Sequence, residues 1–398
     1  GAGERAIGTV YGVNTLGSIA GVIIAGLVLM PVLGLKWLLI SGAVVDIGLG
    51  VALLRPSALD RDHRARTRFG FLLATVCFVL ANGLLVRFDL WKLSSGVYRQ
   101  GLLPTSTTFT FPFYKDGRTA TVSVRRATDG GYLTLATNGK PDASMDPFWE
   151  DSTIAPGELH SLAEDQATQI LLPLIGLAHV PDAREIAVIG QGSGMTSSLL
   201  LGSPEVKQVV TVEIEPEMVT ASRAFRPANH RVFDDPRSHI VIDDAKAYFA
   251  TTGRKFDLII SEPSNPWVSG VSGLFTREFY HRVRNNLTAN GVLGQWLHLY
   301  EINDSLVVSV LAAIDQNFKS YEVFFTSNSD VLILASNRST PLVPDWKVLR
   351  YPGVAHDLRR AVPMSPEALN AMRLAGRNIL HPYLIAHAQV NSDYYPVL

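Results

Sequence analysis

The stretch "EIAVIGQGSGMTSSLLLG", residues 185–202, decides how the second half of the chain is read. An apolar run of strand length, Ile186 to Ile189, stops at Gly190, and Gly192 and Gly194 follow before an apolar helical pattern begins. Glycine at such a turn permits positive φ and lets a ligand approach the backbone beside a helix N-terminus. A lone G-x-G-x-G is weak evidence, so its surroundings matter. The next strand-like run, "QVVTVEIE", ends at Glu213, where an acid can accept both hydroxyls of a ribose. The run after it, "HIVIDDA", ends in Asp243 and Asp244, placed to meet an adenine amino group. Three successive strand ends of this kind, on the carboxyl edge of one sheet, describe a nucleoside site. The plainer reading of the same residues is a tight turn with solvated acids.

Outward from that turn, helical and strand patterns alternate. "LAEDQATQILLPLIGLAH", "MTSSLLLG", "PEMVTASRAF", "KAYFATT", "TREFYHRVRNNL" (closed by Asn290-Gly291) and "DSLVVSVLAAIDQNF" have helical spacing. Between them "EIAVIG", "QVVTVEIE", "HIVIDDA", "FDLIIS" and "GVLGQW" read as strands apolar on both faces. That alternation predicts an α/β fold with a doubly wound, mostly parallel sheet. "YEVFF" and "VLILAS" suggest an antiparallel hairpin at its end, and the tail from Ser339 is irregular or helical.

A fourth strand end, in "FDLIISEPSNPWVSG" (residues 256–270), breaks off at Glu262, Pro263, Asn265 and Pro266. A carboxylate there, beside a nucleoside, suits a general base or a grip on an ammonium group, with Asn265 and Trp267 lining the same cleft. The bland alternative makes Glu262 a loop cap and Trp267 core.

Upstream, "FTFPFYKDGRTATVSV" alternates around a Lys-Asp-Gly-Arg turn and "TDGGYLTL" adds a second turn and strand, a small antiparallel β region within 91–150. Before it lie apolar runs at Ala6–Leu35, Trp37–Leu54 and Phe69–Val86, the first without any charge. Spanning a bilayer needs about 20 apolar residues, so three transmembrane helices are expected within 1–90. Gly8 and Gly12, then Gly17 and Gly21, sit at a spacing that lets helices approach closely. Asp46 in mid-span is expected to face protein or water. Arg55, Arg61, Arg64, Arg66 and Arg68 crowd one link, which the positive-inside rule places in the cytoplasm and the soluble part outside, against the pull of Arg87, Lys92 and Arg99. Trp91 and Tyr98 suit interfacial anchors. The chain opens at Gly1 without a methionine, which is compatible with its being the middle of a longer polypeptide with further spans upstream.

The formal net charge is −1, which leaves no basic field for nucleic acid. Cys77 is the single cysteine, which excludes an internal disulfide and a cysteine-based metal site, and no metal is expected. The organisation expected is therefore 1–90 transmembrane, 91–150 small β domain, 151–338 nucleoside-binding domain and 339–398 tail.

"YGVNTLGSIAGVIIAGLVLMPVLGL", "NGKPDAS", "VIGQGSGMT", "VEIEPEMV", "DPRSHIVIDDAKAYF", "IISEPSNPWVSGVSGLFTREFY" and "GVLGQWLHLY", in that order, resemble the polyamine aminopropyltransferases, or spermidine synthases. The likeness is closest to their membrane-fused bacterial branch. The resemblance implies a small β domain followed by a methyltransferase-like Rossmann domain. It also implies metal-free transfer of an aminopropyl group from decarboxylated S-adenosylmethionine to putrescine. Carried over by position, Gly190, Gly192 and Gly194 face the donor, Glu213 holds its ribose, and Asp244 with Ala245 meets the adenine, Asp243 beside them. Glu262 and Asn265 take the catalytic positions, and Asp142, Trp267 and Gln295 the acceptor side. The soluble enzymes of the family carry aspartate at both catalytic positions. Their glutamine-containing signatures are replaced here by "RTATVSV" and "TNGKPDAS". Losing a charge-assisted hydrogen bond costs about 1.5–3 kcal/mol, so the acceptor half is read as rewritten and the donor half as kept.

Three functions follow. The first is a membrane-anchored aminopropyltransferase with an altered acceptor. The second is a silent scaffold or accessory subunit among other membrane proteins. The third is an S-adenosylmethionine methyltransferase, which "SNPW" alone suggests. The partners expected are the lipid bilayer and, for an active enzyme, a small amine. The place expected is the bacterial cytoplasmic membrane, crossed several times.

Overall fold

The computed structural model describes residues 2–53, 61–101, 103, 105, 108–129, 131–149, 164–268, 270–327, 329–359, 361 and 363–398. Arg55 with the rest of 54–60, the expected boundary at 150–151 and the start of the helix at Ser161 lie outside them. The chain divides into two compact units. One comprises Gly1–Phe109, Tyr114–Ser123 and Thr137–Lys140, the other Thr110–Phe113, Val124–Ala136 and Pro141–Leu398.

In the first unit, helix runs from Ala2 to Val22, continues as a π-helical turn Ile23–Leu29 and then as Met30–Leu53. Among the described residues, Gly3–Leu53 is the one helical stretch long and apolar enough to cross a membrane; Phe69–Leu85 is apolar but shorter. The three expected spans therefore appear as one qualifying stretch and one short one. Gly34 breaks that stretch into two arms, with φ 73° and ψ 169°, a conformation that excludes residues with a Cβ. The backbone N–H freed at the break, that of Leu35, donates to Asp116 Oδ2 at 2.8 Å. Lys36 Nζ donates to Gly83 O at 2.6 Å, tying the start of the second arm to the end of the helix Arg61–Leu85. Apolar side chains along both arms are exposed, as at Leu16 and Leu49, and so is Asp46.

Four short strands, β1 (Phe109–Asp116), β2 (Thr121–Ala127), β3 (Leu133–Thr137) and β4 (Lys140–Met145), form a sheet in that order. Most of "TNGKPDAS" forms β4, a strand beyond the two hairpin segments expected from the sequence.

The second sheet contains β5 (Glu185–Ile189), β6 (Gln208–Glu213), β7 (Ser238–Ile242), β8 (Phe256–Ser261), β9 (Leu287–His298), β10 (Ser320–Ser327), β11 (Asp330–Ser336) and β12 (Arg373–Gly376). Its order is β12-β10-β11-β9-β8-β5-β6-β7. β5 through β9 pair in parallel and β9, β11, β10 and β12 antiparallel, so the sheet is mixed. The central strands are apolar on both faces because helices cover both. Phe249, Phe256, Phe275, Phe279 and Tyr280 pack in a buried core with Ile259 and Leu293.

Two local readings are corrected. Asn290-Gly291 does not close a helix. That helix ends at Asn285, where Asn286 Nδ2 satisfies the carbonyl of Arg282, and Asn290-Gly291 lies in a bulge of β9 opposite Phe256. The tail beyond Ser339 is ordered onto the sheet: β12 pairs with β10, and Asp315 holds Arg377 at 3.2 Å and His381 at 2.8 Å.

The helix Pro352–Leu358 is seated equally closely, since a Cβ on Gly353 would lie 2.5 Å from both the Cα and the carbonyl oxygen of Gly202. Backbone cannot retreat as a side chain can, and overpacking of this kind costs about 1–3 kcal/mol. Gly353→Ala should lower stability by that amount in denaturant titration.

Candidate functional site

β5 ends at Ile189, and the three glycines that follow all adopt positive φ: Gly190 at 94°, Gly192 at 47° and Gly194 at 82°. The loop leads into the buried helix Met195–Leu200. Its shape is held from below by Glu213, at the end of neighbouring β6. One carboxylate oxygen accepts the N–H of Gln191 at 2.8 Å and the other that of Glu215 at 2.9 Å. Burial raises the pKa of Glu213, and those backbone donors oppose the rise. Gln191 Nε2 donates to Ser222 Oγ, and Asn229 Nδ2 donates to the carbonyl of Ser193 at 2.6 Å.

Glu262 follows β8, directly beside this loop. Its N–H donates to the carbonyl of Ile189 at 3.2 Å, and its carboxylate accepts the hydroxyl of Thr196 at 2.9 Å. The residue keeps some exposed surface, but protein crowds its carboxyl. With one hydrogen bond to offset that burial, its pKa is pushed up to about 8. Across from it, Asp142 on β4 accepts the hydroxyl of Ser264 at 2.7 Å.

Asp142, Asp165, Thr168, Gln169, the loop 190–194, Thr196, Glu262 and Trp296 enclose one small cleft of about 60 Å³. Three of these side chains are carboxylic acids and none of the lining residues is basic, which suits a ligand bearing positive charge. Behind them the buried carboxylate of Asp330 accepts Trp296 Nε1 at 2.9 Å and Thr168 Oγ1 at 3.1 Å, fixing two of the lining residues.

The structure thus brings together Gly190, Gly192, Gly194, Glu262 and Asp142, with Glu213 beneath the loop. Asn265 is buried at φ 59°, its Nδ2 donating to Ser264 Oγ at 3.1 Å, and contrary to expectation it does not line the cleft. Trp267 packs edge-on against His298 at 5.0 Å. Asp243 accepts the N–H of Asp244, and Asp244 caps the helix Ala245–Thr251 by accepting the N–H of Ala247 at 2.9 Å. Neither acid lines the cleft, nor does the buried Ala245. Gln295 is corrected most clearly. It is fully buried, with its amide spent on the carbonyls of Ser261 and Trp296 and on the hydroxyl of Tyr280, so it faces the core. Its neighbour Trp296 lines the cleft instead, because side chains alternate along a strand. Asp165, Thr168 and Thr196 were missed, since each reads as an ordinary polar position in a helix.

Residues 166–328 match the spermine/spermidine synthase domain. This part of the chain is similar to that family. A polyamine aminopropyltransferase of Pyrobaculum calidifontis is 36% identical over 122 residues, 29% of this chain and 42% of the relative. One from a Synechococcus strain is 33% identical over 149 residues, 37% of this chain and 46% of the relative. The chain spans about half the length of the curated relatives it matches. A spermidine synthase solved with the transition-state analogue AdoDATO superposes with a TM-score of 0.54 at 18% identity, over 70% of this chain and 89% of that one. The Thermotoga maritima spermidine synthase gives 0.51 at 18% identity, over 70% and 88%. At that identity the likeness is one of fold. Among the described residues no cluster of three metal-ligating side chains occurs.

The raised pKa of Glu262 has a stability consequence. Between its ordinary value of 4.5 and about 8, the folded state holds a proton that the unfolded chain has lost. Stability is therefore full below pH 4.5 and falls as pH rises through about 8. Glu262→Gln should melt close to the parent at pH 4.5 and above it at pH 9 (on the order of one unit past the raised pKa), read by thermal denaturation.

Proposed function

We propose that the nucleoside-binding part of the chain, taken as 151–338, transfers an aminopropyl group from decarboxylated S-adenosylmethionine to a small amine. The observation that carries this reading is Glu262, a carboxyl with its pKa near 8 between a glycine loop and two further acids. The family match supports the same chemistry. An amine nitrogen, once free of its extra proton, attacks the methylene carbon next to the sulfonium. The N–C bond forms, the C–S bond breaks with its electron pair going to sulfur, and methylthioadenosine leaves. Glu262 takes the nitrogen's proton, a role that works best when the pKa of the base lies near the working pH.

In this reading the glycine loop and Glu213 hold the donor's ribose side. Glu213 uses one lone pair on each oxygen for backbone N–H groups, which leaves the others for hydroxyls. Asp243, Asp244 and Ala245, at the end of β7, meet the adenine. Asp142 and Asp165 attract the cationic acceptor, and Asn265 with Trp267 sets which acceptor fits. The helices of 1–90 insert in a membrane, a reading supported by the exposed apolar arms of Gly3–Leu53.

One observation favours a second reading. The cleft of about 60 Å³ holds about two water volumes, far below the size of an adenosine. A scaffold that has lost its donor would keep such a cleft closed. Calorimetry with decarboxylated S-adenosylmethionine separates the two: binding opens the cleft and supports the enzyme, whereas no heat supports the scaffold. S-adenosylmethionine as a second titrant tests the methyltransferase reading.

For the enzyme, purified protein should release methylthioadenosine when given donor and a series of diamines. Glu262→Gln should lower kcat by about 10²–10⁴-fold while the circular dichroism spectrum is retained. The membrane reading is checked by alkaline carbonate extraction, after which the full chain should stay in the pellet.

A further inference from the structure

A second cavity lies against the helix that follows the glycine loop. At about 210 Å³ it exceeds the acid-lined cleft and has room for about seven water volumes. Its walls are the buried side chains of Trp149, Ile170, Met195 and Leu199. Its polar groups are His230, His356, Asp357 and Arg359. An apolar chamber with a few convergent polar groups is the usual make-up of a small-molecule site.

The charge of those polar groups selects the ligand. Asp357 is neutralised by Arg231 at 2.5 Å. Arg359 makes no hydrogen bond or ion pair with any described residue, so its guanidinium is the uncompensated charge at the cavity. His230 Nδ1 lies 3.0 Å from the carbonyl of Pro227, which can only accept, so Nδ1 carries the hydrogen and Nε2 is left over. Guanidinium and imidazole beside four apolar walls match a small organic anion with an apolar body.

The cavity wall is bonded to the catalytic loop. Asn229, fully buried between Ala228 and His230, donates to the carbonyls of Ser193 at 2.6 Å and Ser222 at 2.7 Å. Ser198 Oγ donates to the carbonyl of Ala228 at 3.3 Å, and Met195 begins the helix directly after Gly194. We propose that this cavity is an effector site for a small aromatic or aliphatic anion, whose binding stiffens the glycine loop through Asn229. The proposal does not depend on the catalytic reading, because none of its residues lines the acid cleft.

Phenyl phosphate serves as the probe, with benzyl alcohol and benzylamine as neutral and cationic controls, on the full chain in detergent. Calorimetry should show phenyl phosphate binding, weakened about tenfold or more by Arg359→Gln and unchanged by Glu262→Gln. Hydrogen exchange should slow at the amides of 192–194 when the probe is bound. Equal binding by Arg359→Gln, equal binding of benzyl alcohol, or no binding at millimolar probe would overturn the site. Binding without slowed exchange in the loop would overturn the link to Asn229.

Discussion

A buried carboxylate at the end of β6 holds the amide of the loop after β5, and the rest of the site is arranged around that bond. β5 and β6 pair in parallel with Ile189 opposite Val212, so Glu213 emerges directly under Gln191. Taking a carboxylate out of water is costly unless hydrogen bonds replace its solvation, and here backbone N–H groups do so. The Gln191 amide is free for this bond because the chain turns away from β6 after Gly190, whose own N–H still donates to the carbonyl of Val212 at 2.9 Å. Acid and glycines therefore need each other: the loop supplies donors that make the acid tolerable, and the acid fixes the loop. Gln191 and Asn229 then extend the same network to Ser222 and Ser193.

The neighbouring strand end repeats the theme with a different balance. Glu262 is as crowded as Glu213 but receives a single side-chain hydroxyl, from Thr196. Two carboxylates a strand apart thus have different tasks, set by how many donors reach each. Backbone N–H groups reach both oxygens of Glu213, whereas Glu262, with a single hydroxyl donor, has its pKa pushed up to about 8. Asp142, which reaches the cleft from β4, accepts a hydroxyl of its own, that of Ser264.

How much of this was readable in the sequence depends on how local each feature is. Strand runs, glycine turn and the acids at strand ends are written within a few consecutive residues, and the parallel core follows from them. Gln295 misled because its neighbours in "GVLGQW" are indistinguishable until strand pairing decides which face turns to the cleft. Asn290-Gly291 carries turn chemistry that is used in a β bulge rather than a helix end. Asp330 reaches Thr168 across 162 residues of chain, and β12 finds β10 only after three intervening helical segments, so no short motif could announce either. The larger cavity is likewise assembled from five separate stretches, between Trp149 and Arg359.

The N-terminal arms add a constraint of another kind. Asp116 accepts the Leu35 amide on one oxygen and the Thr121 hydroxyl on the other, so it ties the helix break to the turn after β1. The break at Gly34 marks one end of both arms. Lys36 reaches the carbonyl of Gly83 beside that break, so the second arm and the helix Arg61–Leu85 run antiparallel from it.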